Sequence, residues 1–381
     1  MNSVIHWHEA GRDCSAVWRS ESGMPAPRRV VIADDRMRAD AAYRLACEGT
    51  ALLWRGDFQN ARQLLNAMAR RADRKPKKAS PSSPAEAFHL YRQARSQRAR
   101  TLAMLLIPFN ADHSIPLSRA PDMRSACAEA YGPAKEPYVA SLRELLGLTG
   151  AHEWRKSGVQ IPFLNSRIHP HYGVFSPVRG EYVDLVVKAP LPDALKTHPV
   201  AFDIGTGTGV LAAVLARRGI KRVIATDQDQ RALISARENI ERLDLNAQVE
   251  IAEADLFPEG RASLAVCNPP WVPARPASPL EHAIYDPENR MLKGFLNGLA
   301  SHLEENGEGW LILSDLAEHL GLRSRTELLD MMDKAGLIVL EKLDAKPHHP
   351  KVSDASDALH EARKAETTSL WRLAAKISTN N

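Results

Sequence analysis

Residues 202–210 read "FDIGTGTGV", and the fold turns on this stretch. An apolar run ends in Asp203, three glycines alternate through Gly209, and a helix-like "GVLAAVLARRG" follows. Gly205, Gly207 and Gly209 allow the backbone to turn sharply and to come close to a ligand. The pattern places the loop between a strand and a helix N-terminus. Its spacing is GxGxG rather than GxGxxG, and no lysine follows the glycines, which rules out a phosphate-cradling P-loop.

Strand-like and helix-like segments alternate on both sides of this loop. The strand-like runs are "VAFDI", "KRVIATD", "QVEIAEAD", "LAVCNPP" and "GWLILSD". Between them lie "GVLAAVLARRG", "DQRALISARENIERL" and "ENRMLKGFLNGLASHLEENG". Alternation of this kind predicts an α/β, Rossmann-like, doubly wound parallel sheet. "GLIVLEKLDAK" and "TSLWRLAAK" bring it to seven strands. Four strand ends in order carry Asp203 with the glycines, then Asp227, then Asp255, then "NPPW" at 268–271. Ligands of open α/β sheets bind at such strand ends.

The last of these ends is chemically the most pointed. Pro269 and Pro270 remove two backbone donors and fix two φ angles, so the segment is stiff and leaves the sheet ladder. Asn268 and Trp271 thus sit on a rigid shelf. Each carboxylate could also serve as a helix cap, and Trp271 could be a core aromatic.

Taken together, the four strand ends resemble those of the class I S-adenosylmethionine-dependent methyltransferases with an NPP(Y/F/W) signature. The resemblance covers roughly residues 160–375. It implies that Asp203 and the loop Gly205, Thr206, Gly207 and Gly209 hold the methionine part of S-adenosyl-L-methionine. It implies further that Asp227 takes the ribose hydroxyls and that Asp255 and Leu256 lie near the adenine. Asn268, Pro269, Pro270 and Trp271 then form the catalytic shelf, with Asn268 also bordering the cofactor. A planar amine is a poor nucleophile because its lone pair is delocalised. The Asn268 carbonyl and a backbone carbonyl beside it could grip both N–H bonds, and Trp271 could stack on the acceptor plane. No metal is called for.

Two families fit this shelf in part. "DLFP" followed by "NPPWVP" is similar to the methyltransferases of glutamine amides in release factors and ribosomal proteins, which usually carry Tyr at the position of Trp271. "YGVFSP" at 172–177 is similar to the ribosomal RNA guanine exocyclic-amine methyltransferases, in which the segment with Phe175 flanks the cofactor pocket. Those continue with Asp-x-Gly, which this chain lacks, and their shelf usually reads Phe then His.

The remainder of the chain bears on the choice. Residues 1–157 carry 25 Lys and Arg against 16 Asp and Glu, although the whole chain is only +4. The surplus peaks at Arg70, Arg71, Arg74, Lys75, Lys77, Lys78, Arg92, Arg95, Arg98 and Arg100. Such a run is either a solvated face or a phosphate-binding patch. Helical spacing in 39–54, 57–71, 84–106 and 137–147 predicts a mainly helical N-terminal domain over 1–157, followed by the cofactor-binding domain over 158–381. The basic domain tips the reading toward an RNA substrate, with a protein substrate docked on the same domain as the alternative, and a cofactor-binding scaffold as a third. Four separated cysteines, no apolar leader and no membrane-length apolar run lead us to expect a cytoplasmic protein with reduced thiols.

Overall fold

The computed structural model describes residues 3–74, 81–276, 281, 283–347 and 357–376. Two compact units divide the chain: Met1–Pro81 with His89–Glu153, and Ser82–Phe88 with Trp154–Asn381.

The first unit corrects the expected helical domain, because its centre is a six-stranded sheet. Its strands are β1 (Val4–Glu9), β2 (Arg12–Trp18), β3 (Arg29–Ala33), β4 (Thr50–Trp54), β5 (Leu105–Phe109) and β6 (Tyr138–Ser141), in the order β1-β2-β6-β5-β4-β3. Helices α1 (Ala39–Cys47), α2 (Phe58–Asp73), α3 (Pro84–Leu102), α4 (Arg124–Tyr131) and α5 (Leu142–Ser157) belong wholly or in part to this unit. The run 39–54 is not one helix. Its helix stops at Cys47, Gly49 takes φ 76°, and "TALLW" becomes the fully buried β4. A left-handed glycine is a common helix terminator. In the same way "LLIPF" leaves the end of α3 to form β5, and "YVAS" forms β6. Short apolar runs buried on both sides carry no alternation, so periodicity cannot separate them from helix.

The second unit follows the sequence closely. A ribbon of β7 (Val159–Ile161) and β8 (Ser166–Ile168) leads to α6 (Glu181–Lys188). Then come β9 (Val200–Ile204), α7 (Val210–Arg217), β10 (Arg222–Asp227), α8 (Gln230–Arg242), β11 (Val249–Glu253), β12 (Ala262–Cys267), α9 (Arg290–His302) and β13 (Leu303–Ser314). The chain closes with α10 (Leu316–His319), α11 (Arg325–Lys334), β14 (Leu337–Ala345), α12 (His360–Ala365) and β15 (Thr368–Ala375). The seven strands run β11-β10-β9-β12-β13-β15-β14, all parallel except β15, which is antiparallel to both neighbours. Chain order reverses between β9 and β12, so the crevice of a doubly wound sheet opens at their carboxyl ends. β12 is buried along its whole length, and α7 is buried except at Arg217, consistent with helices covering both faces.

Among the described residues no helix is long and apolar enough to cross a membrane.

Candidate active site

A cavity of about 690 Å³ opens at those strand ends, a volume ordinary for a small-molecule site. Phe175, Gly205, Thr206, Gly207, Asp227, Asp255, Leu256, Asn268, Pro269, Pro270 and Trp271 all line it. Asp203 and Gly209 stand behind the lining, where they shape the loop.

Asp203 is the penultimate residue of β9, and its side chain is buried. Its Oδ2 accepts from the Thr206 hydroxyl at 2.6 Å and from the Ala212 backbone N–H at 3.0 Å. It therefore ties the loop to the first turn of α7, so the helix-capping reading applies to it. The three loop glycines have φ of 71°, 57° and 80°, a region costly for other residues. A Cβ on Gly205 would collide with the Met291 methyl, and one on Gly209 would press on the Ala236 backbone at 3.3 Å.

Burial pushes the Asp203 carboxyl up to about 6, with the neighbouring Asp227 charge adding to the rise. An acid whose folded value lies above its unfolded one holds its proton longer in the native state. Stability should then fall as pH rises from about 4 to about 6, by about 3 kcal/mol for a shift of two units. Asp203→Asn keeps an oxygen acceptor and removes the charge. Its unfolding free energy should match the parent chain at pH 4 and exceed it at pH 7. Denaturant titration at the two pH values checks this, and an equal difference at both would show that burial of this charge is not the cause.

Asp227 ends β10. Its Oδ2 accepts from Gly207 N–H and its Oδ1 from Asp229 N–H, both at 3.0 Å. Asp227 itself lines the cavity. Burial raises its pKa, and the backbone donors oppose that rise. It caps no helix: Asp229 takes that position for α8, accepting from Arg231 N–H. Asp255 carries a half-exposed carboxylate paired with Arg290, at the start of α9. Leu256 adopts φ 78°, and its carbonyl accepts from the Thr226 hydroxyl at 2.6 Å. That bond holds the turn which turns the Leu256 side chain toward Gly294.

The shelf leaves β12 as the prolines dictate. Val272 bridges to Tyr285, and Asp286 accepts from the N–H groups of Met291 and Leu292 at 3.0 Å, anchoring the returning segment to α9. Trp271 is partly buried against the cores on both faces of the sheet. Its indole Nε1–H donates to Asn268 Oδ1 at 2.9 Å, and the Arg179 guanidinium lies 4.8 Å from its ring centroid.

Arg179, Glu181 and Glu366 escaped the sequence reading. Arg179 donates from Nε to Glu181 at 2.7 Å and from Nη2 to Glu366 at 3.0 Å. Glu366 precedes β15, 187 residues away, and no local pattern connects the two.

In the basic stretch, Lys75, Lys77 and Lys78 lie outside the described residues. Arg71 pairs with Asp40 at 2.6 Å, Arg98 with Asp73 at 2.7 Å, and Arg95 donates to the Tyr91 hydroxyl at 2.7 Å.

Residues 165–327 match the model of the Methyltransferase small domain family. The chain is similar to a release factor glutamine methyltransferase of Caulobacter vibrioides, 35% identical over 127 residues, covering 32% of this chain and 43% of that protein. A ribosomal protein L11 methyltransferase of Pelotomaculum thermopropionicum is 44% identical over 69 residues, 18% of this chain and 22% of that one. The chain thus spans less than half the length of these curated relatives. Among solved structures, the ribosomal protein L11 methylase of Lactobacillus delbrueckii subsp. bulgaricus covers 51% of this chain and 77% of its own. It does so at 18% identity and a TM-score of 0.34, too loose a likeness to bear on the reaction.

Proposed function

We propose that the C-terminal half binds S-adenosyl-L-methionine and transfers its methyl group to a planar –NH2, with a glutamine side-chain amide of a protein as the acceptor. The observation that carries this reading is the convergence of the glycine loop, Asp227, Asp255 and Asn268 on one cavity.

The residues fit that cofactor. Asp227 is preset by two backbone donors and retains lone pairs for two ribose hydroxyls. Gly207 has open space where a side chain would stand. Leu256 and Met291 give an apolar wall for a flat base. When bound, the cofactor supplies an electrophilic methyl on a sulfonium; the acceptor nitrogen's lone pair makes the new C–N bond while the C–S pair returns to sulfur.

The chain's own residues prepare the nitrogen. Asn268 Oδ1 accepts one N–H bond, and a carbonyl of the proline shelf accepts the other. The grip aims the lone pair and stabilises the positive charge that forms on nitrogen. The proton is lost to water afterwards, so no general base is required. Positioning and fixed dipoles carry the rate.

Two observations favour a side-chain amide. One face of Trp271 lies under Arg179, and the ring is packed on the core, which suits a small planar group better than a stacked base. The release factor relative adds weight by its name. A nucleobase amine is the second reading, favoured by the basic surplus of residues 1–157, although Arg71 and Arg98 in that stretch are paired with acids. The test incubates the protein with methyl-labelled cofactor and a cell extract, then digests portions with RNase or protease. Label released by protease alone supports the amide, and label released by RNase alone replaces it with the nucleobase. No label in either fraction overturns methyl transfer to a macromolecule.

A further inference from the structure

Asn268 has a second partner whose consequence reaches beyond holding the acceptor. An asparagine amide has two ends, and only its oxygen can accept the acceptor's N–H. Indole nitrogen is a donor only. The contact from Trp271 Nε1 at 2.9 Å therefore makes the facing atom Oδ1 and fixes which way the amide lies. One lone pair of Oδ1 is used, and one remains.

Trp271 is held in turn. The Arg179 guanidinium stands over its ring, where a cation and an aromatic face attract. Arg179 is gripped by two carboxylates that are almost wholly buried, with side chains 4% exposed for Glu181 and 2% for Glu366. Both carboxylates are fixed to the sheet. Glu366 Oε1 accepts from the hydroxyl of Ser314, the last residue of β13, at 2.6 Å, and Glu181 lies within 3.5 Å of the hydroxyl of Thr368, the first residue of β15. Arg179, Trp271, Asn268 and Glu366 all line the cavity.

We propose that Arg179, clamped by Glu366 and Glu181, is a positioning residue that locks Trp271 so that its indole N–H orients the Asn268 carbonyl for the acceptor amine. The reaction itself rests on the function proposed above, whereas the lock is a property of the protein alone. Tyrosine or phenylalanine at this position would offer no donor of indole geometry. Trp271 thus serves the shelf through its edge, with its face committed to Arg179.

Two measurements on the full chain separate the lock from the reaction. In a proton–nitrogen NMR spectrum the Trp271 indole signal is identified by its loss in Trp271→Phe. It should shift upfield in Asn268→Ala, which removes its acceptor, and should move or broaden in Arg179→Lys, which keeps the charge but loses the planar fork. Neither readout needs substrate. An indole signal unmoved by Asn268→Ala overturns the lock whatever the enzyme methylates. In turnover, Trp271→Phe should lower kcat roughly five- to tenfold with unchanged KM for both substrates, the scale of one preorganising hydrogen bond. In an Asn268→Ala background the same change should cost nothing further, because the contact is already gone. An equal loss in both backgrounds would make Trp271 merely structural and overturn the proposal. Should Arg179→Lys fail to fold, Glu366→Gln, which keeps the acceptor for Ser314 and halves the clamp's charge, must still move the signal.

Discussion

Asp227→Ala is expected to weaken S-adenosylmethionine binding on the order of a hundredfold, with little loss of thermal stability. In the proposed role its carboxylate accepts two ribose hydroxyls. Hydrogen bonds to a charged group contribute about 1.5–3 kcal/mol each, and loss of the pair amounts to two decades or more. Stability should be spared for a reason visible in the site. Burial raises the pKa of Asp227, so the native state carries the cost of desolvating its charge, and truncation relieves that cost. The two backbone N–H groups it frees, on Gly207 and Asp229, border an open cavity that water can enter. Isothermal calorimetry with the cofactor decides it. An affinity equal to that of the parent chain would remove Asp227 from the binding site.

The two halves of the molecule were unequally legible in the sequence, and the difference is physical. In the C-terminal half three of the parallel strands carry a polar residue at or beside their carboxyl end: Asp203 in β9, Asp227 in β10 and Asn268 just after β12. The intervening helices are long enough to show a 3.6-residue period, as "DQRALISARENIERL" does over α8. In the N-terminal half β4, β5 and β6 are short and buried at every position, and the alternation that marks a strand is missing. A sharper signal was present in the opening residues. Ala10 and Gly11 take φ of 51° and 76° between β1 and β2, the two-residue turn of a hairpin, and "EAGR" between "VIHWH" and "DCSAVW" could have been read as one. Spacing alone singles out the strand-end residues that line the cavity. It does not reveal the Arg179–Glu366 clamp, which joins positions 187 residues apart through tertiary packing alone. Asp255 lines the cavity, but its pairing with Arg290 depends on where α9 begins, which strand spacing does not fix.

Asn268→Ala is expected to lower the rate of methyl transfer by about a hundredfold or more while leaving cofactor affinity within twofold, because it removes one preorganised polar contact to the charge that forms on the acceptor nitrogen. The separation of effects follows from geometry. In the proposed reading the cofactor is held by the glycine loop that follows β9 and by Asp227 on β10, whereas Asn268 stands just beyond β12. Nor does the fold depend on the amide. Pro269 and Pro270 fix the backbone, Val272 bridges to Tyr285, and Asp286 anchors the returning segment on α9. Trp271 loses the acceptor for its N–H, but its ring remains packed on both cores beneath Arg179. The loss should be larger than that of Trp271→Phe, since the residue that touches the acceptor is removed rather than the one that orients it. Single-turnover rates at saturating cofactor isolate the chemical step. Parent-like turnover by a folded Asn268→Ala protein would show that the shelf is architecture alone, and the planar-amine reading would fall with it.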